Sequence, residues 1–359
     1  MKVVFVTTIN LKNQGDLLEL SILHGMRSIL GANCIDFPRK KIMYHDFSES
    51  PKDSLHGRGF TLLTTPIEDL TKEERKIDNI DAIIYGSGHM YGDSRARELE
   101  EKCDNIWLLD GHDLYGTIYD PRRPLHTDFY HKPSQQFLDS LRNLTKSKIK
   151  IDKQQGVLRK IWIPSESDEY TIGAQFEKSF KRELVEEGLN KVFPTGFGIP
   201  VERIRPINFE AKTQLFQKTA PDDSLFKEVK DCGVGGGFAH HTFDQEEEYY
   251  QDLSKSWFGL TCKKGGWDCL RHYEIIAAGS LLLFKDYDLK PKQCSPQELP
   301  CLTYSSQSEL ENIFDRLIIK NKPTKEYKNL LFAQRQWLFS HGTTEARAIK
   351  ILKIINEHL

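Results

Sequence analysis

The chain has 359 residues, 38% of them hydrophobic and 28% charged, with a formal net charge of −2. That length exceeds one ordinary core and predicts two soluble domains. The near-neutral balance gives no global signal for nucleic acid or a membrane surface, which leaves only local basic clusters for an acidic partner. The seven cysteines are scattered and include no C-x-x-C pair. They argue against a disulfide frame or zinc site and for a reducing, cytoplasmic setting.

Met1-Lys-Val-Val-Phe-Val is too short an apolar run for a signal peptide, and it reads as the start of a strand over Val3–Thr8. No run reaches transmembrane length. A polar loop carrying Gly15 leads to Leu17–Leu30, where apolar residues recur at helical intervals until Gly31. Asp16 stands where an N-cap belongs. Strand, loop and helix in that order open a doubly wound domain, whose ligands sit at the carboxyl ends of its strands. The first strand is not followed by Gly-x-Gly-x-x-Gly, which argues against a dinucleotide-dependent dehydrogenase.

Cys34–Phe37 reads as the second strand. Residues 38–60 are basic and aromatic (Arg39, Lys40, Lys41, Tyr44, His45, His56, Arg58) and form a long loop, either functional or simply solvated. Ala82–Tyr85 and Ile106–Leu109 read as further strands. The segments after them bring His89, Asp110, His112 and Asp113 to one rim. A carboxylate or imidazole there can act as general base on a hydroxyl, or these groups can merely cap turns and hydrogen-bond. Residues 121–133 are polar and carry Arg122 and Arg123. Lys146–Lys160 alternates basic residues with Ile149, Ile151 and Val157, which favours an amphipathic strand or hairpin over a polyanion track. Ile161–Pro164 reads as another strand. Phe176–Leu189 reads as a helix, with Lys181 and Arg182 able to reach an interdomain cleft. Phe193–Pro200, punctuated by Pro and Gly, reads as the exit from the first domain.

The second domain is expected from about residue 201, with Asp231–Phe238 as its first strand and glycine turn. Bare Gly236 and Gly237 allow close backbone approach to a diphosphate, or serve a tightly packed turn. Phe243–Ser256 reads as an acidic helix. Ser256–Phe284 then reads as strand, Gly265-Gly266 loop, helix and strand, with Asp268 as N-cap and Gly279 as C-cap. Leu270, Tyr273 and Ala277 share one helix face, while Asp268, Arg271, Glu274 and Ala278 share another. Loop amides and a helix N-terminus suit phosphate, the Arg271 fork suits phosphate, and the Glu274 carboxylate suits ribose hydroxyls. The same Arg–Glu spacing also makes plain surface ion pairs. Trp267 can stack on a base or fill a core. Lys285–Pro291 lies at a strand end, within reach of a sugar or base. Glu309–Ile319 and Lys325–Phe339 read as amphipathic helices. A last helix from Thr343 or Thr344 places Ala346, Ile349, Leu352 and Ile355 on one face.

Gly266-Trp-Asp-Cys-Leu-Arg-His-Tyr-Glu-Ile-Ile-Ala-Ala-Gly279 resembles the donor-binding segment of GT-B-fold glycosyltransferases. There, a Glu in an E-x-x-A-x-G run binds the nucleotide ribose, and Glu274–Gly279 matches that run. Two further stretches fit bacterial and viral proteins of this type. One is Phe180–Leu184 followed by Phe193–Pro200, and the other is His341–Leu352. Many retaining members carry a second Glu eight residues before the first, where this chain has Gly266, so the stereochemical outcome stays open.

The resemblance implies an α/β fold of two Rossmann-like domains facing a cleft. The acceptor-side domain would span 1–200, the donor domain 201–340, and a helix at 341–359 would cross back. It implies sugar transfer from a nucleotide sugar, expected to be UDP-linked, with no catalytic metal. Glu274 would bind ribose. Arg271 and the amides of Gly265, Gly266, Gly236 and Gly237 would hold the diphosphate, with Trp267, Asp268, Lys181 and Arg182 nearby. His89, Asp110, His112 or Asp113 would serve the acceptor hydroxyl. A glycan acceptor is expected; a hydroxymethylated DNA base and a catalytically degenerate sugar-nucleotide-binding module are the alternatives.

Overall fold

The computed structural model describes residues 1–7, 16–45, 59–86, 97–111, 125–129, 148–154, 157–163, 178–184, 191–218, 243–263 and 266–359. In the first part of the chain the strands are β1 (Val3–Val6), β2 (Cys34–Phe37), β3 (Ala82–Tyr85), β4 (Ile106–Asp110), β5 (Leu125–Phe129), β6 (Lys148–Gln154), β7 (Val157–Ile163), β8 (Lys178–Lys181) and β9 (Val192–Pro194). Its helices are α1 (Leu17–Leu30) and the single turn α2 (Arg97–Glu100). In the second part come β10 (Gln214–Phe216), α3 (Glu246–Lys255), β11 (Ser256–Thr261), α4 (Leu270–Ala277), β12 (Leu281–Lys285), β13 (Leu302–Tyr304), α5 (Gln307–Leu317), the short hairpin β14 (Ile318–Ile319) and β15 (Lys322–Pro323), α6 (Lys325–Trp337) and α7 (Thr344–Asn356).

Two parallel sheets dominate. The first runs β2-β1-β3-β4-β8-β9 and the second β10-β11-β12-β13. In the first, the chain leaves β1 to one side for β2 and returns to the other for β3. In doubly wound sheets such a reversal is where ligands bind, at the carboxyl ends of the strands. β1 is buried on both faces: Val3 and Phe5 join one apolar cluster, Val4 and Val6 another. A strand covered on both sides has no need of polar alternation, which is why Val-Val-Phe-Val reads as one apolar run.

α1 begins and ends where its sequence dictates. Asp16 Oδ1 accepts from the amides of Leu18 (2.9 Å) and Glu19 (3.0 Å), a cap usually worth about 1 kcal/mol. α7 lies along α1. A Cβ on Gly25 would stand 1.9 Å from the Thr344 carbonyl oxygen, and His24 Nδ1 meets Thr344 Oγ1 at 2.9 Å. Beyond α7, His358 sets its ring edge-on to Trp107 and Phe193, at 5.5 and 5.4 Å between centroids.

Three expectations change, and a fourth lies outside the described residues. Within the expected helix over 176–189, Lys178–Lys181 instead forms β8 on the free edge of β4, in register Leu109↔Phe180. Phe180 there stacks on Trp107 at 4.9 Å. Ile161–Ile163 is no separate strand but the end of β7, antiparallel to β6. Among the described residues the edge of the second sheet is held by β10, which has no clear sequence signal, while the expected strand over 231–238 lies outside them. The buried face of α7 is Thr344, Arg347, Ala348, Ile351 and Ile355, whereas Ile349 is 55% exposed. The close approach at Gly25 turns Ala348 toward α1 and rotates the face away from the one expected. Among the described residues no helix is long and apolar enough to cross a membrane.

Candidate functional site

The site is built on the β11–loop–α4–β12 unit. α4 is buried along its length except at Arg271, which is half-buried in its first turn. Gly279 ends the helix with φ +85°, donating to the Ile276 carbonyl oxygen at 3.1 Å. That left-handed conformation favours glycine over any residue with a Cβ. The start of α4 differs from expectation. Its cap position is Cys269, with no side-chain hydrogen bond, and Asp268 faces away from the helix amides.

Asp268 is instead the centre of a buried polar knot. Its Oδ2 accepts from the Phe197 amide at 2.8 Å and its Oδ1 from the Tyr273 hydroxyl at 2.8 Å. Arg347 donates to the Phe197 carbonyl oxygen (3.0 Å) and to the Tyr273 hydroxyl (3.1 Å). Glu183 accepts from the amides of Trp267 (3.0 Å) and Asp268 (2.9 Å) and pairs with Arg182 at 3.0 Å. Arg182 also donates to the carbonyl oxygens of Asp268 (2.8 Å) and Gly111 (3.0 Å). The stretches 180–184, 193–200, 266–279 and 341–352 thus converge on one point. Glu183 and Arg347 lay within the quoted stretches, but only this geometry gives them partners.

Several expected site residues lie in the knot or beside it. Trp267 is buried against Phe284, with Lys263 Nζ 5.3 Å from its ring centroid. Lys181 and Asp110 form an ion pair at 3.0 Å with side chains 1% and 2% exposed. Asp110 therefore does not present its carboxylate at an open rim, and Lys181 and Arg182 do not extend into a cleft. The amides of Trp267 and Asp268, where a helix N-terminus would receive phosphate, already hold Glu183. His89, His112, Asp113, Gly236, Gly237 and Gly265 lie outside the described residues. Gly266 is described and buried at the end of the loop.

Arg271 and Glu274 stand apart from the knot, on the other side of α4. The buried Nη1 of Arg271 has no hydrogen-bond partner among the described residues. Glu274, one turn on, is 7% exposed. Its Oε2 accepts from the Tyr249 hydroxyl of α3 at 2.6 Å. Its Oε1 accepts from the Thr61 hydroxyl at 2.5 Å, a contact reaching across from the first part of the chain. Thr61 also meets the Tyr250 hydroxyl (2.9 Å) and donates its amide to Glu246 (2.6 Å). Thr61 was missed in the sequence, since no local pattern marks it.

Burial pushes the Glu274 carboxyl up, opposed by the hydrogen bonds from Thr61 and Tyr249 and by the charge of Arg271. Burial likewise raises the Asp268 and Glu183 carboxyls, opposed by Arg182. His272, between Arg271 and Tyr273, is driven by burial down to about 3. Its Nε2 lies 3.0 Å from the Trp267 carbonyl oxygen and its Nδ1 3.2 Å from Thr261 Oγ1. A neutral ring donating to the first and accepting from the second satisfies both. The chemistry on offer at this face is a guanidinium with one nitrogen lacking a hydrogen-bond partner among the described residues, beside a carboxylate that retains lone pairs. Farther along, past β12, a cavity of about 530 Å³ opens among Tyr287, Asp288, Lys292, Gln293 and Gln297.

The chain thus holds two parallel sheets, with the β11–α4 unit of the second meeting a turn of the first. No family model and no curated protein matches the sequence. Among solved structures, sucrose-phosphate synthase from Thermosynechococcus elongatus is similar at 10% identity and TM-score 0.46, over 100% of this chain and 99% of that one. The N-terminal domain of Candida albicans trehalose-6-phosphate phosphatase gives 9% and 0.43, over 100% and 97%. An E. coli trehalose-6-phosphate structure bound with UDP-2-fluoro glucose gives 12% and 0.42, over 99% and 98%. These are distant overall likenesses and assign no activity.

Proposed function

We propose that this protein is a glycosyltransferase, moving a sugar from a nucleotide-sugar donor to a hydroxyl of a glycan acceptor. One observation carries the reading. Arg271 holds a buried guanidinium nitrogen, Nη1, that has no hydrogen-bond partner among the described residues, one helical turn from Glu274 and within the stretch that resembles a donor-binding segment. A buried polar nitrogen with no hydrogen bond is costly, and a diphosphate is a ligand whose charge and geometry match the guanidinium fork. Glu274 would take the ribose hydroxyls. The backbone of Gly265 and Gly266 would approach the phosphates, with Gly236 and Gly237 adding to that cradle. Arg271 would then stabilise the charge on the departing nucleotide diphosphate, the expected main catalytic contribution. With Asp110 paired to Lys181, the group serving the acceptor hydroxyl is to be sought among His89, His112 and Asp113. The donor is expected to be UDP-linked.

The test is release of nucleoside diphosphate from UDP-, GDP- and ADP-sugars by wild type and by Glu274→Ala. Release from one nucleotide family, lost in the variant, is the expected result. No release from any of them, with no binding of the diphosphates either, would sink the assignment.

A further inference from the structure

The group holding Glu274 from the first part of the chain sits in an unusual backbone. Thr61 has φ +74°, and the Leu62 amide donates to the Phe60 carbonyl oxygen at 2.9 Å. Together these define a γ-turn of the rare left-handed kind, centred on Thr61. That turn is strained for any residue with a Cβ and more so for a β-branched one. Thr61 is fully buried, and its surroundings hold it in place. Arg203 donates to Thr65 Oγ1 (2.7 Å) and to the Thr64 carbonyl oxygen, Thr65 Oγ1 donates to the Thr61 carbonyl oxygen (3.0 Å), and Glu246 takes the Thr61 amide. Strain of this kind persists where a structure over-determines it, and it gathers at switch regions.

The strained turn aims one hydroxyl at Glu274 Oε1, giving a carboxylate–hydroxyl hydrogen bond of the type a ribose would make. We propose that the Gly59–Thr65 turn is a self-inhibitory latch, in which the Thr61 hydroxyl occupies the ribose position on Glu274 until a nucleotide displaces it. This rests on the donor-site reading. The Tyr249 hydroxyl, on the other carboxylate oxygen, stays in place through the exchange. Displacing Thr61 releases the link between the first part of the chain and α4, so donor binding and movement of the 59–65 turn are one event. A second role for Thr61, orienting Glu274 for the ribose, predicts the opposite sign in the experiment below.

The test is calorimetric titration of the full chain with UDP, GDP and ADP, for wild type, Thr61→Ala, Thr61→Gly and Thr61→Ser. Thr61→Ala and Thr61→Gly remove the competing hydroxyl, and the glycine also relaxes the turn, so a folded variant is available even if alanine proves unstable. Both should bind the preferred diphosphate about ten-fold more tightly, the factor expected when one hydrogen bond to a charged group need no longer be displaced. Thr61→Ser keeps the hydroxyl and should bind as wild type does. Equal or weaker binding by both Thr61→Ala and Thr61→Gly, with wild type binding normally, overturns the latch and leaves the donor site standing. If no diphosphate binds any of the four proteins, the donor site falls and the latch with it.

Discussion

His272 gives a prediction whose sign and size both follow from its surroundings. It is 1% exposed, its ring lies 4.6 Å from that of Phe284, and burial holds its pKa at about 3, against an ordinary value of 6.5. The unfolded chain therefore binds a proton on this group below pH 6.5 that the folded chain refuses. Stability contributed by the neutral ring is present above pH 6.5 and is lost as pH falls toward 3. Between pH 7.5 and pH 5.0 the loss spans about 1.5 pKa units, or about 2 kcal/mol. The raised carboxyls of Glu183, Asp268 and Glu274 act in the other direction, contributing stability at low pH that is lost as pH rises. The wild-type profile is thus a sum, and a paired comparison isolates the histidine. Gln at 272 offers one donor and one acceptor in place of the ring nitrogens and does not titrate. Urea denaturation of wild type and His272→Gln at the two pH values should show wild type losing about 2 kcal/mol more than the variant over the interval. Equal losses would refute the account of a buried neutral imidazole shaping the 266–268 loop.

Two packing predictions follow from the same unit and its neighbours. Gly25→Ala places a methyl 1.9 Å from the Thr344 carbonyl oxygen. The cost should reach or exceed the upper end of the usual overpacking range of about 1–3 kcal/mol, read as a lower urea midpoint. A wild-type midpoint would mean that α1 and α7 do not touch there. Glu183→Ala leaves the Arg182 charge buried and removes the carboxylate acceptor of the Trp267 and Asp268 amides. It should cost about 3–5 kcal/mol, and a loss below about 1 kcal/mol would show that the knot is not closed by this carboxylate.

Much of this architecture was legible in the sequence, and the reasons differ by element. β3 and β11 were readable as largely apolar runs, and α1 from apolar residues at helical intervals between Asp16 and Gly31. β8 was not, since Phe-Glu-Lys-Ser-Phe-Lys-Arg-Glu-Leu has helical spacing and only the unpaired edge of β4 makes a strand of it. Asp268 has the chemistry of an N-cap, yet the Phe197 amide competes for its carboxylate from 71 positions away. The placement of Arg271 and Glu274 one turn apart on α4 was expected from their spacing. Their present partners were not, because Thr61 lies 213 residues before Glu274 and carries no motif. Long-range polar contacts of this kind leave no periodic trace.

The most direct test of the donor-site account is a thermal-shift comparison of wild type and Arg271→Met, with and without nucleoside diphosphates. Methionine fills a similar volume and removes a buried nitrogen that has no hydrogen-bond partner among the described residues, so the ligand-free variant should melt at the wild-type temperature or above it. With diphosphate at a hundred times its Kd, wild type should gain about 2.7 kcal/mol and the variant almost none. If Arg271→Met is stabilised as strongly as wild type, or if no diphosphate stabilises wild type, then the α4 face does not hold the nucleotide.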